Sequence, residues 1–156
     1  MKRGKVSALL LIAVASSFIS CQSTRSAHDQ KDPRASWSTD EAYKQLIQTK
    51  CFAFGGVGFA GTTSNGEFAL CAVLRSPNAA NLFTAVCSEA TDEGKLYALC
   101  GLRATDRNAF NHYVAALREK DGSATTMSGC IIDSKRISTI IQEIANGDYD
   151  SYVAKR

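Results

Sequence analysis

From residue 38 onward, apolar positions recur with helical period, and capping residues separate the stripes. Ser38-Thr39-Asp40-Glu41 reads as a capping box, and Trp37 just before it as a hydrophobic staple. Tyr43, Leu46, Ile47, Cys51 and Phe54 then line one helical face. Ser64-Asn65-Gly66-Glu67 is a second box and leads into Phe68-Ala69-Leu70-Cys71-Ala72-Val73-Leu74. Ser76-Pro77 predicts a third start, with Pro at the first helical position, and Leu82, Phe83, Val86 and Cys87 form the stripe behind it. Thr91 or Asp92 caps a fourth helix carrying Leu96-Tyr97-Ala98-Leu99-Cys100, and Thr105 or Asp106 a fifth carrying Phe110, Tyr113, Val114 and Leu117. Ile137, Ile140, Ile141 and Ile144 repeat the spacing in a sixth, stopped at Asn146-Gly147.

Residues 123–133 break this rhythm. Thr125, Thr126, Ile131 and Ile132 are β-branched and Gly129 interrupts them, which predicts a loop or a short extended piece. The fold expected is therefore all-α, a single domain over 37–156, with about six helices. Phe68-Ala69-Leu70-Cys71 returns as Tyr97-Ala98-Leu99-Cys100, 29 residues later. Each copy is apolar on nearly all sides and is followed by a one-sided amphipathic helix. The spacing resembles that of two divergent α-solenoid units of the HEAT or TPR kind, without the signature of either. The resemblance implies two stacked helical hairpins, with the two near-identical helices central, their successors outside, and the first and last helices capping them.

The N-terminal segment has a different pattern. Lys2, Arg3 and Lys5 precede an apolar run from Val6 to Ala15 broken at Ser7, and small and apolar residues then lead to Cys21. That is the layout of a secretory signal over residues 1–20; a spanning helix needs roughly 20 apolar residues. Ala13-Val14-Ala15 fits an ordinary cleavage site. Phe18-Ile19-Ser20-Cys21 resembles the lipobox of bacterial lipoproteins, with Phe18 where Leu is usual. The resemblance implies that Cys21 becomes the acylated N-terminus and carries a membrane anchor. Residues 22–36 contain too little apolar surface to fold and read as a tether, so 21–36 is expected to be a lipidated, disordered linker. Gln22 in place of Asp implies the outer membrane of the cell envelope if the cell is Gram-negative.

Charge narrows the function classes. The chain has 18 basic and 15 acidic residues, and the signal holds three of the basic ones, leaving 15 of each beyond it. No excess charge remains for phosphates, so no nucleic-acid partner is expected. Beyond Cys21 lie Cys51, Cys71, Cys87, Cys100 and Cys130, an odd number in a compartment that permits disulfides. Their spacing matches no metal motif, and no metal is expected. Cys51 and Cys130 both sit in glycine-rich surroundings with backbone freedom, which makes them the disulfide candidates. Such a bond would close a loop of about 80 residues and stabilise by roughly 4 kcal/mol in the chain-entropy account. Cys71 and Cys100, at matching places of the repeat, are expected to be unbonded.

Gly56-Val57-Gly58-Phe59-Ala60-Gly61 satisfies GxGxxG. A dinucleotide loop needs a preceding strand, a helix opening at the glycines and an acid about 20 residues on. The preceding stretch reads as helical, so a turn is expected here and no cofactor. His28 falls in the tether, and His112 on the flank of the fifth helix, where it could serve Cys87 or Cys100 as a base. Glu67 could be a carboxylate acid or base but has a structural role as the third residue of its cap. With no catalytic constellation, the expectation is a non-enzymatic interaction or scaffold lipoprotein that binds another envelope protein. The alternative is a small envelope enzyme or enzyme inhibitor using Glu67 or a cysteine near the glycine-rich turn. The anchor is tested first: labelled palmitate should enter the wild-type protein and not Cys21→Ser, which should also leave the membrane fraction. If the variant is processed and fractionates like the wild type, the anchor is refuted.

Overall fold

Helix α1 (Thr39–Gln48) begins where its capping residues place it. Glu41 N donates to Ser38 Oγ at 3.3 Å and Ser38 N to a Glu41 carboxylate oxygen at 2.8 Å, so each residue satisfies an amide of the other. The computed structural model describes residues 36–154. The expected signal segment 1–20, Cys21, and the tether up to residue 35, His28 included, lie outside the described residues. Those described belong to one compact unit. It is mostly helical: α2 (Asn65–Leu74), α3 (Ala79–Glu89), α4 (Asp92–Thr105), α5 (Arg107–Arg118), α6 (Ile137–Asn146) and the short α7 (Asp150–Val153) follow. Thr91 Oγ1 caps α4 through Gly94 N at 3.2 Å, and the Asp106 carboxylate caps α5 through the amides of Asn108 and Ala109. Gly147, at φ 89°, ends α6 in the left-handed conformation that glycine adopts without penalty.

Two small antiparallel sheets correct the all-α expectation. β1 (Gly56–Val57) pairs with β2 (Thr62–Thr63), and β3 (Ser123–Ser128) pairs with β4 (Ile131–Arg136). The irregular segment is thus a hairpin, turning through Gly129-Cys130 with Gly129 at φ 55°. The first helix is also shorter than its apolar stripe. It ends at Gln48, and Cys51 and Phe54 lie in an extended segment. Phe52 N donates to Thr125 O at 2.8 Å, so strand pairing with β3 captures the stretch that helical spacing claimed. α3 starts at Ala79, two residues after Pro77. Ser76 Oγ accepts from Asn78 N and Ser76 O from Ala79 N, and this turn delays the helix.

Helix α4 is the hub of the core. Leu96, Tyr97, Leu99 and Leu102 are fully buried, and α4 packs against α1, α2, α3, α5, α6 and α7. Each such side chain contributes about 1.5–3 kcal/mol by leaving water. Helix α2 is buried almost as completely, through Ala69, Leu70, Ala72, Val73 and Leu74. The pairing differs from the α2–α3 hairpin expected: α2 lies chiefly on α1, and α3 chiefly on α4. The reason is local. A β-carbon on Gly101 would come within 2.4 Å of the Phe83 ring, so the missing side chain on α4 is the seat of α3.

One buried polar group ties the extended segment to this core. Tyr97 Oη donates to Ala53 O at 2.6 Å and accepts from Ala53 N at 2.8 Å. Ser64 Oγ, at the cap of α2, donates to the same carbonyl at 2.6 Å. Gly66 makes room for the ring, since a β-carbon there would lie 2.3 Å from Tyr97 Cε2. Burial pushes the Tyr97 phenol far above its ordinary range, so it keeps its proton and its donor role. Tyr97→Phe leaves the buried Ala53 amide without its acceptor and is expected to cost about 1–3 kcal/mol. Urea denaturation should show this as a lower midpoint with unchanged slope; an unshifted midpoint would deny the hydroxyl its structural role.

Candidate functional site

The two hairpins come together at one end of the helical body. Residues 52–58 run parallel to β3, bridged at Phe52–Thr126 and Val57–Gly129, with Gly58 N donating to Gly129 O at 2.8 Å. The GxGxxG stretch is β1 and the turn leading to β2, with Gly58 and Gly61 at φ 69° and 60°. Side chains that carry a β-carbon rarely adopt those values, and glycine takes them freely. Helix α2 opens only at Asn65, so the glycines do not form the loop-to-helix junction that cradles a pyrophosphate.

Beneath the turn, Phe52, Phe54, Tyr97 and Tyr149 pack with ring centroids 4.9–5.3 Å apart, in edge-on, tilted and stacked pairs. Glu67 is 6% exposed, and its carboxylate accepts from Gly55 N at 2.8 Å, while its own amide donates to Ser64 Oγ at 3.1 Å. The second capping motif therefore does more than start a helix. Its Ser holds Ala53 and its Glu holds Gly55, so the cap of α2 fixes the entry to the glycine-rich turn.

This scaffold presents a surface of unusual composition. No charged residue occurs over 51–66, and Asp, Glu, Lys, Arg and His side chains are absent again over 122–132. At the tips, Phe59 is 102% exposed, Ile131 72% and Ile132 65%. Between the hairpins and α1 opens a cleft of about 540 Å³. Ala53, Val57, Met127 and Ile132 supply its apolar lining, Thr49 and Thr63 are among its hydroxyls, and Lys50 is the one charged residue among the described residues that line it. Its volume lies within the range of ligand and peptide clefts, roughly 300–1,000 Å³.

The residues singled out for chemistry are scattered. Cys51 is half-buried and lines the cleft, and Cys130 is exposed in the β3–β4 turn. No disulfide joins any of the five described cysteines, so neither the Cys51–Cys130 bond nor one between Cys71 and Cys100 is formed here. The register explains the first. Phe52 aligns with Thr126, and four residues of extended chain separate Thr126 from Cys130, roughly 13 Å at the rise of a strand. A disulfide needs its α-carbons within about 7 Å. Burial raises the Cys87 thiol to about 12 and pushes Cys100 higher still; burial, and then the Glu93 charge, raises Cys51. None is poised as a thiolate nucleophile. His112 is exposed on α5, edge-on to Tyr113, while Cys87 and Cys100 are buried, and no hydrogen bond joins them. Trp37 packs against the core, in keeping with a staple. Among the described residues no group of three or more His, Cys, Asp or Glu side chains is placed to hold a metal ion, and no helix is long and apolar enough to cross a membrane.

Sequence reasoning missed the convergence of the two hairpins and the exposed tips. A glycine-led two-residue loop between β-branched runs is a hairpin signal that could have found β3 and β4. Nothing local announces that residues 52–58 lie beside them. The thiol assignment is open to direct test with a disulfide-exchange reagent at about pH 8. Cys130 should react fast, and Cys87 and Cys100 only on unfolding, because a thiol with a pKa of about 12 is roughly one part in ten thousand thiolate at that pH. Fast reaction of Cys87 in the folded protein would refute its burial. No protein-family model matches the chain, and no curated protein or solved structure matches it.

Proposed function

We propose that this is an exported, lipid-anchored protein of the cell envelope whose helical domain binds another envelope protein without catalysing a reaction. The observation that carries the reading is the joint tip of the two hairpins: uncharged over both segments, with Phe59, Ile131 and Ile132 held out of the core. Depletion of charge together with an exposed aromatic is the composition of an interface core. Large apolar side chains left exposed at one end of a domain mark an interaction surface. The helical body serves as the rigid platform. Stacked hairpins of the short α-solenoid kind are the finer description we favour for it, with α2 and α4 as the buried pair. The tether and the acylated Cys21 hold the platform near the membrane, and a Gram-negative cell would place it on the outer one.

The enzymatic alternative finds less support. The Glu67 carboxylate is buried and engaged by the Gly55 amide, and the buried thiols are raised far above neutrality. A general acid or a nucleophile needs access to substrate.

The test is site-specific photocrosslinking in intact cells. A crosslinker at position 59 or 132 should give a discrete protein adduct, and one at the exposed Asn111 on α5 should not. Phe59→Ser should abolish the adduct formed at 132 while changing stability by no more than about 0.5 kcal/mol, as for other exposed positions. Equal adducts at all three positions, or none at 59 and 132, would overturn the reading.

A further inference from the structure

The edge of β4 is exposed along most of its length. Ser128 and Ile131 flank the two-residue turn and pair directly. In such a hairpin that pair is hydrogen-bonded, and bonding alternates along the ladder. Asp133 and Lys135 therefore spend their amides and carbonyls on β3, and Ile137 N continues the series to Gly122 O at 3.1 Å. Ile132, Ser134 and Arg136 turn theirs the other way. The opposite strand agrees: Thr125, across from Ser134, gives its carbonyl to Phe52 N and its amide to the Glu93 carboxylate at 2.9 Å. β3 is thus covered on its far side by residues 52–58, and among the described residues β4 is the open edge. All its residues but Lys135 are exposed.

We propose that β4 pairs, antiparallel, with β4 of a second copy of this chain about a twofold axis at Ser134. Charge complementarity selects the occupant and the register. The strand that adds must bond to Ile132, Ser134 and Arg136, so in a symmetric pair these face one another. An axis at Asp133 places two aspartates opposite each other, and an axis at Lys135 two lysines; like charges directly opposite are unfavourable. An axis at Ile132 runs the pairing into the Gly129-Cys130 turn. Centred on Ser134, each Asp133 faces Lys135 of the other copy, twice over. Ile132 then lies across from Arg136, whose aliphatic stem covers the exposed isoleucine.

The single copy shields this edge. A carboxylate oxygen of Asp133 accepts from Ser134 N at 2.7 Å, covering the outward amide at the proposed axis. Lys135 meanwhile pairs with Glu143 on α6. Pairing exchanges the first contact for a backbone bond to the second copy and turns Asp133 to its lysine. A charged self-cap on an exposed edge is a common guard against indiscriminate strand addition. The resulting association is weak and salt-sensitive, because exposed ion pairs are worth little and are screened. It covers Ile132 but leaves Phe59 and Ile131 exposed, and it does not rest on the function proposed above.

Cysteine crosslinking of the full chain in intact cells tests it. In a Cys130→Ser background, Ser134→Cys should give a covalent dimer on a non-reducing gel. Facing α-carbons of a hydrogen-bonded antiparallel pair lie about 5.5 Å apart, within disulfide reach. Ser138→Cys, exposed on α6, should give none. Adding Asp133→Lys, or Lys135→Asp, should lower the dimer fraction by about tenfold or more, and the double reversal should restore it. Helical circular dichroism of each variant verifies folding. Absence of the dimer, indifference to single reversal, failure of the double reversal, or crosslinking at 134 to a different protein would each overturn the proposal. The adducts at position 59 report separately on the hairpin tips.

Discussion

The hydroxyl of Tyr97 fixes the relation between the helical body and everything built on it. It takes both backbone polar groups of Ala53, with Ser64 sharing the carbonyl. A segment with no regular partner on one side is thereby seated on the hub helix, and the strand pairing of residues 52–58 with β3 follows from that seat. Remove the hydroxyl and a buried amide is left unpaired, a cost of about 1–3 kcal/mol in a domain whose whole margin is about 5–15 kcal/mol. Gly66 belongs to the same device, since the ring can reach Ala53 only where α2 has no side chain.

The α2 cap shows how one short motif serves two levels of structure. Ser64 and Glu67 sit at the spacing of a helix start, and the Glu67 amide is indeed held by the Ser64 hydroxyl. Their remaining polar capacity is spent on the chain before them: the Ser64 hydroxyl on Ala53 and the Glu67 carboxylate on Gly55. The hairpin end of the molecule is thus tied to the helical body at its base and exposed at its tips. The glycines at 58 and 61 turn the chain, and Phe59 projects between them without contact to the core.

The spacing of apolar residues and caps accounts for most of the helical body. Ser38, Ser64, Thr91 and Asp106 start helices and Gly147 stops one, because capping is a contact between neighbours in the chain. Burial of α2 and α4 was likewise legible, since residues apolar on all sides have nowhere to go but inward. Where the reading failed, a distant partner intervened. Phe54 fits the α1 stripe by spacing, yet the chain leaves the helix at Thr49 and Phe52 bonds to Thr125, 73 positions along. The Cys51–Cys130 pairing rested on backbone freedom alone, and the register of the bridges carries Cys130 away from Cys51.

By itself, the sequence determined a predominantly helical domain, the starts of α1, α2, α4 and α5, and the absence of net charge beyond the N-terminal segment. These follow from periodicity, capping and composition, each of which acts over a few residues or over the chain as a sum. Tertiary structure alone decided which helices touch, that two hairpins meet at one end, and that Phe59, Ile131 and Ile132 face outward while Phe52 and Tyr97 face in. Hydrophobicity is the same on both sides of that division. What separates the two sets is the long-range register set by Tyr97, Gly66 and the Phe52–Thr125 bond, and no window of local sequence contains it.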